Sequence, residues 1–246
     1  MAQNPLWVAK DRKLVTRVSQ AVNDPALVQK LFDPKTKTGM NNLGFNYAMI
    51  ETTKPAGYIS IRCTFYYFKD SLIAYVVYPR LPSEPELYEK YLGWYKRGFI
   101  TDSTSVEPFY NNIEILRQPL EQYAHPSSTN PKILFYSSPE SGIIYGNKGG
   151  ISPSYLQNRR LFIELENELN QESVLQLLYS KNPSSRLSAI EYCYNNPDLF
   201  EGKQIQIDQW IETVFEELPY VSTMMGCIGS NEKARELVKM FRNEEE

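Results

Sequence analysis

The sequence predicts an α+β fold: an antiparallel sheet with covering helices, followed by an all-helical C-terminal subdomain. Two patterns carry this reading. In Tyr58–Phe68, Ile59, Ile61, Cys63, Phe65 and Tyr67 alternate with Ser60, Arg62, Thr64 and Tyr66, the period of a half-buried strand. From Ser152 to Glu246 the apolar residues instead recur at helical spacing. The expected division is therefore an α+β region over 1–151 and a helical subdomain over 152–246 packed on it.

The N-terminal region opens with two short helices. Leu14, Val15, Val18, Ala21 and Val22 form one apolar stripe, and Leu27, Val28, Leu31 and Phe32 a second. Between them Asp24 can cap and Pro25 fits a first helical position, where its missing N–H is not needed. Asp33-Pro34 ends the second helix, and Lys35–Gly44 reads as a polar loop.

The strand at Tyr58–Phe68 returns through Lys69-Asp70-Ser71 into Leu72–Tyr78, which Pro79 ends by removing a ladder donor. One hairpin is not stable alone. Further strands are expected at Tyr47–Glu51, Ile133–Tyr136 and Gly142–Tyr145, the last two as a second hairpin. Ser83-Glu84-Pro85-Glu86 has the capping-box form and introduces a helix with Leu87, Tyr91, Trp94 and Tyr95 at helical spacing. Phe109–Tyr123 is a helix with Ile113, Leu116 and Leu120 on one face, although Pro119 lies inside it.

In the C-terminal third, helices are expected over Tyr155–Leu169, around Val174–Leu178, and after Asn182-Pro183, which supply a cap and a first residue. A further stripe runs through Ile207, Ile211, Val214, Phe215 and Leu218. Val221–Gly229 reads as an apolar linker, and Ser230 opens a last helix holding Ala234, Leu237, Val238 and Phe241. Glu244–Glu246 is a solvated tail.

Composition excludes several functions. The 246 residues hold 26 Lys+Arg against 29 Asp+Glu, a net charge of −3. An acidic chain without a basic patch is not a general nucleic-acid binder. No run approaches the ~18 apolar residues of a membrane span. A single histidine rules out multi-His metal sites, and no D-x-[DN]-x-[DN]-G cluster offers hard-cation ligands. No motif implies a cofactor. The Gly146-Asn147-Lys148-Gly149-Gly150 segment lacks the spacing of a phosphate loop and reads as a flexible turn. Cys63, Cys193 and Cys227 have no CxxC spacing, and a Cys193–Cys227 bridge stays open. The opening residues carry no signal-peptide pattern, which points to the cytoplasm, while Ala2-Gln3 resembles the flank of a signal-peptidase cut, which points to secretion or the periplasm.

Any nucleophilic triad or dyad must use His125, and Cys227, among small neighbours in Met224–Gly229, is its best nucleophile. The ordinary alternative makes Cys227 a buried residue of an apolar connector. Glu164, Glu166 and Glu168 alternate along a helix and read as solvated charges. A glycosidase-like carboxylate pair stays open, since sequence does not set its separation. The compositional excess is aromatic, with 18 Tyr, 11 Phe and 3 Trp. Tyr58, Tyr66, Tyr75 and Tyr78, on or beside the hairpin, are candidate ligand-stacking or interface residues; as packing residues they would fill the sheet surfaces instead.

One short segment resembles a known family. Leu177–Glu191 runs helix, polar turn, Asn182-Pro183, then Arg186 before the apolar Ala189-Ile190 face. It resembles the inner turn of a HEAT-type helical repeat. That resemblance spans this segment alone and implies a helical-pair surface that binds proteins. The leading functional expectation is a non-catalytic binding or structural protein that engages another protein through aromatic or helical surfaces. The alternatives are a hydrolase with a degenerate Cys/His or carboxylate site, and an inhibitory or neutralising partner protein.

Overall fold

The computed structural model describes residues 4–34, 39–95, 99, 105–150 and 154–243. The expectations placed on Ala2-Gln3, Ser152 and Glu244–Glu246 fall outside these residues. The fold is α+β, with a five-stranded antiparallel sheet and ten helices among the described residues. Contacts cluster into two compact units, one of Met1–Met40 with Met49–Ile113, the other of Asn41–Ala48 with Glu114–Glu246. Residues 114–150 thus cluster with the C-terminal helices, whereas the sequence reading put the division at 151/152.

The first unit is built as its stripes predict. Helix α1 (Pro5–Ala21) is capped by Asn4, whose Oδ1 accepts from Leu6 N at 3.0 Å, and α2 (Pro25–Phe32) by Asp24, which accepts from Ala26 N and Leu27 N. Leu14, Val15, Val18, Val28, Leu31 and Phe32 are buried, but Leu27 is 47% exposed and leaves its expected stripe. The sheet is a meander of β1 (Met40–Gly44), β2 (Tyr47–Pro55), β3 (Ser60–Phe68), β4 (Ser71–Tyr78) and β5 (Phe109–Asn111), in that order; of these, Asn41–Gly44 and the start of β2 cluster with the second unit and the rest with the first. Strand β1 corrects the expected loop at Lys35–Gly44. The polar run Asn41-Asn42 hides a strand that the apolar-alternation signal does not detect.

The β3–β4 hairpin turns through Lys69 and Asp70, both at positive φ (47° and 64°), the twist a two-residue hairpin needs. Ser71 already pairs with Phe68, and the register shifts by a bulge between Tyr66 and Tyr67. Ile59, Ile61, Cys63 and Phe65 are buried as their alternation requires. They pack with Val15, Val18, Phe32, Tyr75 and Val77 in one cluster that also takes Leu87, Tyr91 and Tyr95. Thr64, Tyr66, Ala74 and Val76 are buried too, so the centre of the hairpin is covered on both faces.

A buried carboxylate ties this unit together. Asp11 is 0% exposed and accepts from Gly57 N at 2.6 Å, Tyr58 N at 2.8 Å and Tyr91 Oη at 2.5 Å. Helix α3 (Pro85–Leu92) delivers Tyr91 to it. The capping box expected at Ser83 does not form: the N-cap is Glu84 and no side chain bonds the first turn.

Past β5 the expected Phe109–Tyr123 helix is absent. Asn112 at φ 52° turns the chain, and only α4 (Glu114–Arg117) is helical before Pro119. The expected strand at Ile133–Tyr136 is helix α5 (Pro131–Ser137). Asn130 caps it, its Oδ1 accepting from Lys132 N at 2.9 Å, and Pro131 takes the first position. This Asn-Pro start outweighs the β-propensity of a short apolar run. Gly142–Tyr145 is not a strand; Tyr145 makes a single bridge to Thr223.

The second unit continues with β6 (Lys148–Gly149), β7 (Ser154–Tyr155), α6 (Gln157–Glu166), α7 (Gln171–Leu178), α8 (Pro183–Asn195) and α9 (Gln204–Glu217). The expected apolar linker at Val221–Gly229 is instead a hairpin, β8 (Tyr220–Met225) with β9 (Ile228–Lys233), turning at Gly226-Cys227. Helix α10 (Ala234–Asn243) follows it rather than starting at Ser230. The C-terminal region is therefore mainly, not wholly, helical.

Helix α8 is the centre of this unit. Asn182 caps it and Pro183 opens it, as the sequence indicates. Residues Pro183 to Glu191 are all buried, so the helix is enclosed on every side. Its polar side chains are enclosed with it. Asn158 donates to Ser141 Oγ and Ser185 Oγ and accepts from Tyr136 Oη and Ser184 Oγ. Arg186 is fully buried, donates to Leu43 O, and lies 4.8 Å over the Phe45 ring, while Nε and Nη1 have no hydrogen-bond partner among the described residues. Gly44, at φ 77°, permits this approach: a Cβ there would stand 3.1 Å from Arg186 Nη2.

Candidate functional site

The second unit holds a cleft of about 570 Å³. One wall is a single face of α6, where Arg159, Phe162, Ile163 and Glu166 recur at i, i+3, i+4 and i+7. The opposite wall is the C-terminal end of α8, with Glu191, Tyr192 and Asn195, followed by Asn196. The rim comes from Asn147 and Lys148 of the β6 region, from Tyr155, and from Met224–Gly226 at the hairpin tip. Phe241 of α10 closes one end.

Close backbone approach shapes the rim. A Cβ at Gly149 would stand 2.8 Å from Met224 Sδ and 2.9 Å from Leu156 Cδ2, so these two side chains pack directly on the glycine and would have to shift for a larger residue. Gly149 bridges to Gly226 in parallel, and Gly150 N donates to Gly226 O at 2.6 Å. The glycine-rich segment read as a flexible turn is a fixed part of this wall.

A buried ion pair forms the floor. Arg159 and Glu191 are each 5% exposed at the side chain. Arg159 Nη1 donates to Glu191 Oε2 at 2.9 Å and Nη2 to Oε1 at 2.7 Å, the bidentate geometry of a strong charge-assisted pair. Tyr145 Oη donates to the same carboxylate. Burial disfavours the guanidinium charge, but the hydrogen bonds and charge of Glu191 outweigh it and hold Arg159 above its ordinary pKa. Burial first, then the Glu191 charge and hydrogen bond, push the Tyr145 phenol well above its ordinary value, so it is a donor and not a base. At the mouth, Lys148 Nζ lies 5.1 Å from the Tyr155 ring centroid.

This arrangement limits the chemistry. Three donors already bond the Glu191 carboxylate, two from Arg159 and one from Tyr145. No group of three or more His, Cys, Asp or Glu suited to a metal ion occurs among the described residues. The cleft mixes amides, rings and thioethers with the charged Lys148 and Glu166 around the Arg159–Glu191 pair.

The residues singled out by sequence lie elsewhere. His125 packs edge-on against Tyr123, ring centroids 5.5 Å apart, and lines a second, smaller cavity. Cys227 lines neither that cavity nor the cleft; it is exposed at the β8–β9 turn, not buried in a connector. Cys193 is a buried free thiol, so no bridge joins the two. Burial, with the Asp208 charge adding to it, pushes the Cys193 thiol up to about 12.

Of the hairpin tyrosines, Tyr66 is 2% and Tyr75 0% exposed, and Tyr75 Oη donates to Val22 O at 2.8 Å. Tyr58 is half-buried, stacks edge-on with Trp7 and accepts from Asn4 N. Tyr78 is half-buried with the Arg62 guanidinium 4.1 Å over its ring. The contacts of Tyr58, Tyr75 and Tyr78 lie within the first unit.

No family model matches the chain, and no similar protein was found among curated proteins or solved structures. The cleft is therefore read from its own geometry.

Sequence reading missed Arg159, Glu191 and Tyr145. A signal existed for the first: Arg159 stands three residues before Phe162 on the apolar face of α6, where a charge needs a buried partner. Its partner is 32 residues away, and no local pattern names it.

Proposed function

We propose that the chain is a non-catalytic binding protein and that the Arg159–Glu191 cleft receives a segment of a partner protein. The exposed apolar surface around the mouth supports this reading most directly. Tyr155 is 49% exposed, Ile163 41%, Met225 52%, and Ile228 at the hairpin tip 73%. Exposed apolar residues gathered at one concavity mark interaction sites. Met224 and Met225 add unbranched, polarisable side chains that adapt to a partner's surface. The resemblance of Leu177–Glu191 to a HEAT-type turn is in keeping with this, because α8 carries Tyr192 and Asn195 to the cleft wall. The inhibitory-partner reading is a special case in which the bound segment belongs to a toxic or enzymatic protein.

The test is site-specific photocrosslinking. A benzophenone side chain placed at Tyr155 or Ile163 should capture a partner protein, and the same group at exposed Leu27 should not. Tyr155→Ala combined with Met225→Lys should abolish capture from Ile163. Equal capture at all positions would remove the basis of the reading. The hydrolase alternative predicts fast alkylation of Cys227 that disappears in His125→Ala.

A further inference from the structure

Helix α1 buries one face and presents another that is basic along its length. Asp11, Leu14, Val15 and Val18 turn into the first unit. On the opposite side Leu6, Lys10, Lys13 and Arg17 recur at i, i+4, i+7 and i+11, which sets them in one line along the helix. At a rise of about 1.5 Å per residue the line is about 16 Å long. All four residues are exposed, and Arg12 is exposed on the flank.

No acid of the helix balances this face. Asp11 is the only carboxylate of α1, and it is buried and bonded to Gly57 N, Tyr58 N and the Tyr91 hydroxyl. The charge of Glu84, at the head of α3, acts on that same Tyr91. Among the described residues Lys10, Arg12, Lys13 and Arg17 make no ion pair and no side-chain hydrogen bond. Such cations repel one another, and an anionic surface relieves the repulsion. The net charge of −3 for the whole chain conceals this face.

Apolar residues head the same line. Leu6 is 73% exposed and its neighbour Trp7 46%. Their placement is fixed: Trp7 packs edge-on against Tyr58 at 5.2 Å, and Tyr58 Oη accepts from Asn4 N at 2.9 Å. A nucleic acid or an acidic peptide is held by the cations alone. A bilayer surface uses both features, because its headgroups take the cations and its interface takes leucine and indole side chains.

We infer that α1 docks the first unit on an anionic lipid surface, with Lys10, Lys13 and Arg17 against the headgroups and Leu6 and Trp7 in the interface. Clusters of about 4–8 Lys/Arg on an amphipathic helix are the footprint of such surfaces. The helix lies along the membrane; none of the described helices is long and apolar enough to cross one. This surface belongs to the first unit and stands or falls without the protein-binding cleft.

The test is co-sedimentation of the full chain with lipid vesicles. Vesicles of phosphatidylglycerol and phosphatidylcholine should bind the chain at about 0.1 M salt, and pure phosphatidylcholine vesicles should not. Salt at about 1 M, where the screening length falls to about 3 Å, should release it. Lys10→Gln, Lys13→Gln and Arg17→Gln together should weaken partitioning about a hundredfold. Lys69→Gln, Lys203→Gln and Lys233→Gln, which remove the same charge at other exposed positions, should weaken it about twofold at most. Leu6→Ser should weaken it about fivefold with every charge in place. All these positions are exposed, so circular dichroism of each variant should match the parent. Failure of the parent to bind the anionic vesicles, equal loss in the two charge variants, or indifference to Leu6→Ser would overturn the inference. Binding of poly-glutamate or duplex DNA in place of the vesicles would also overturn it, and would make the stripe a docking face for an acidic polymer.

Discussion

Replacing Glu191 by leucine tests the reading of the cleft floor. The carboxylate accepts from Arg159 Nη1 at 2.9 Å, from Nη2 at 2.7 Å and from Tyr145 Oη. Without it, the guanidinium keeps, among the described residues, one hydrogen bond, from Nε to Gly146 O at 3.5 Å, and the Tyr145 and Phe162 rings, each 5.9 Å away. Removing one partner of a buried pair costs about 3–5 kcal/mol, and a stranded buried hydroxyl adds about 1–3 kcal/mol. Glu191→Leu should therefore destabilise the second unit by at least about 4 kcal/mol, a urea midpoint shift of about 2 M at an ordinary slope. Arg159→Met should cost about 3–5 kcal/mol by stranding the carboxylate. The double variant should return to within about 2 kcal/mol of the parent, because neither charge is left behind. Trp210, one of three tryptophans, reports this unit by fluorescence once Trp7 and Trp94 are changed to Phe. Additive losses in the double variant, or a cost below about 1 kcal/mol for Glu191→Leu, would refute the buried pair.

The other expectations follow the same logic. Arg186→Met should be neutral or stabilising in urea unfolding, by up to about 4 kcal/mol, since it removes a buried guanidinium with two nitrogens that have no hydrogen-bond partner among the described residues; a loss above about 2 kcal/mol would refute this. Gly57→Ala should cost about 2 kcal/mol or more, because its Cβ would meet Trp7 O at 2.4 Å and Trp7 C at 2.7 Å, backbone atoms that cannot rotate away. Burial lowers the Lys181 pKa to about 8 from its ordinary 10.5, with the Glu121 charge opposing. The folded state then binds fewer protons than the unfolded one between those values, so stability contributed by this group rises with pH from about 8 to 10.5 and is absent below about 8. Lys181→Met should flatten that rise in urea midpoints measured at several pH values. Iodoacetamide should label Cys227 alone in the folded chain, and Cys63 and Cys193 only after denaturation, by mass spectrometry. For the same reason Cys227→Ser should leave stability unchanged within about 0.5 kcal/mol.

The sequence alone determined the elements whose signals are local. The Ile59–Phe65 alternation, the stripe from Leu14 to Ala21, and the Asp24-Pro25 and Asn182-Pro183 helix starts each rest on neighbouring residues, and each stands in the structure. The same kind of signal misled where two local rules competed. Ile133–Tyr136 is apolar enough for a strand, yet Asn130-Pro131 starts a helix there. Val221–Gly229 has no polar alternation, yet it folds back at Gly226 into β8 and β9.

Only the tertiary structure decided the candidate site. Helix α8 is buried on every side from Pro183 to Glu191, so its Ser184, Ser185, Ser188 and Glu191 side chains look like surface residues until their partners are placed. Arg159 meets Glu191 across 32 residues and Tyr145 meets it across 46. Tyr123 meets Tyr179 only when the loop before α5 is pinned to α7. Periodicity is a property of one element, set by backbone geometry over a few residues. A buried charge pair or an aromatic cavity is a property of several elements at once, and it exists only after long-range packing has excluded water from between them.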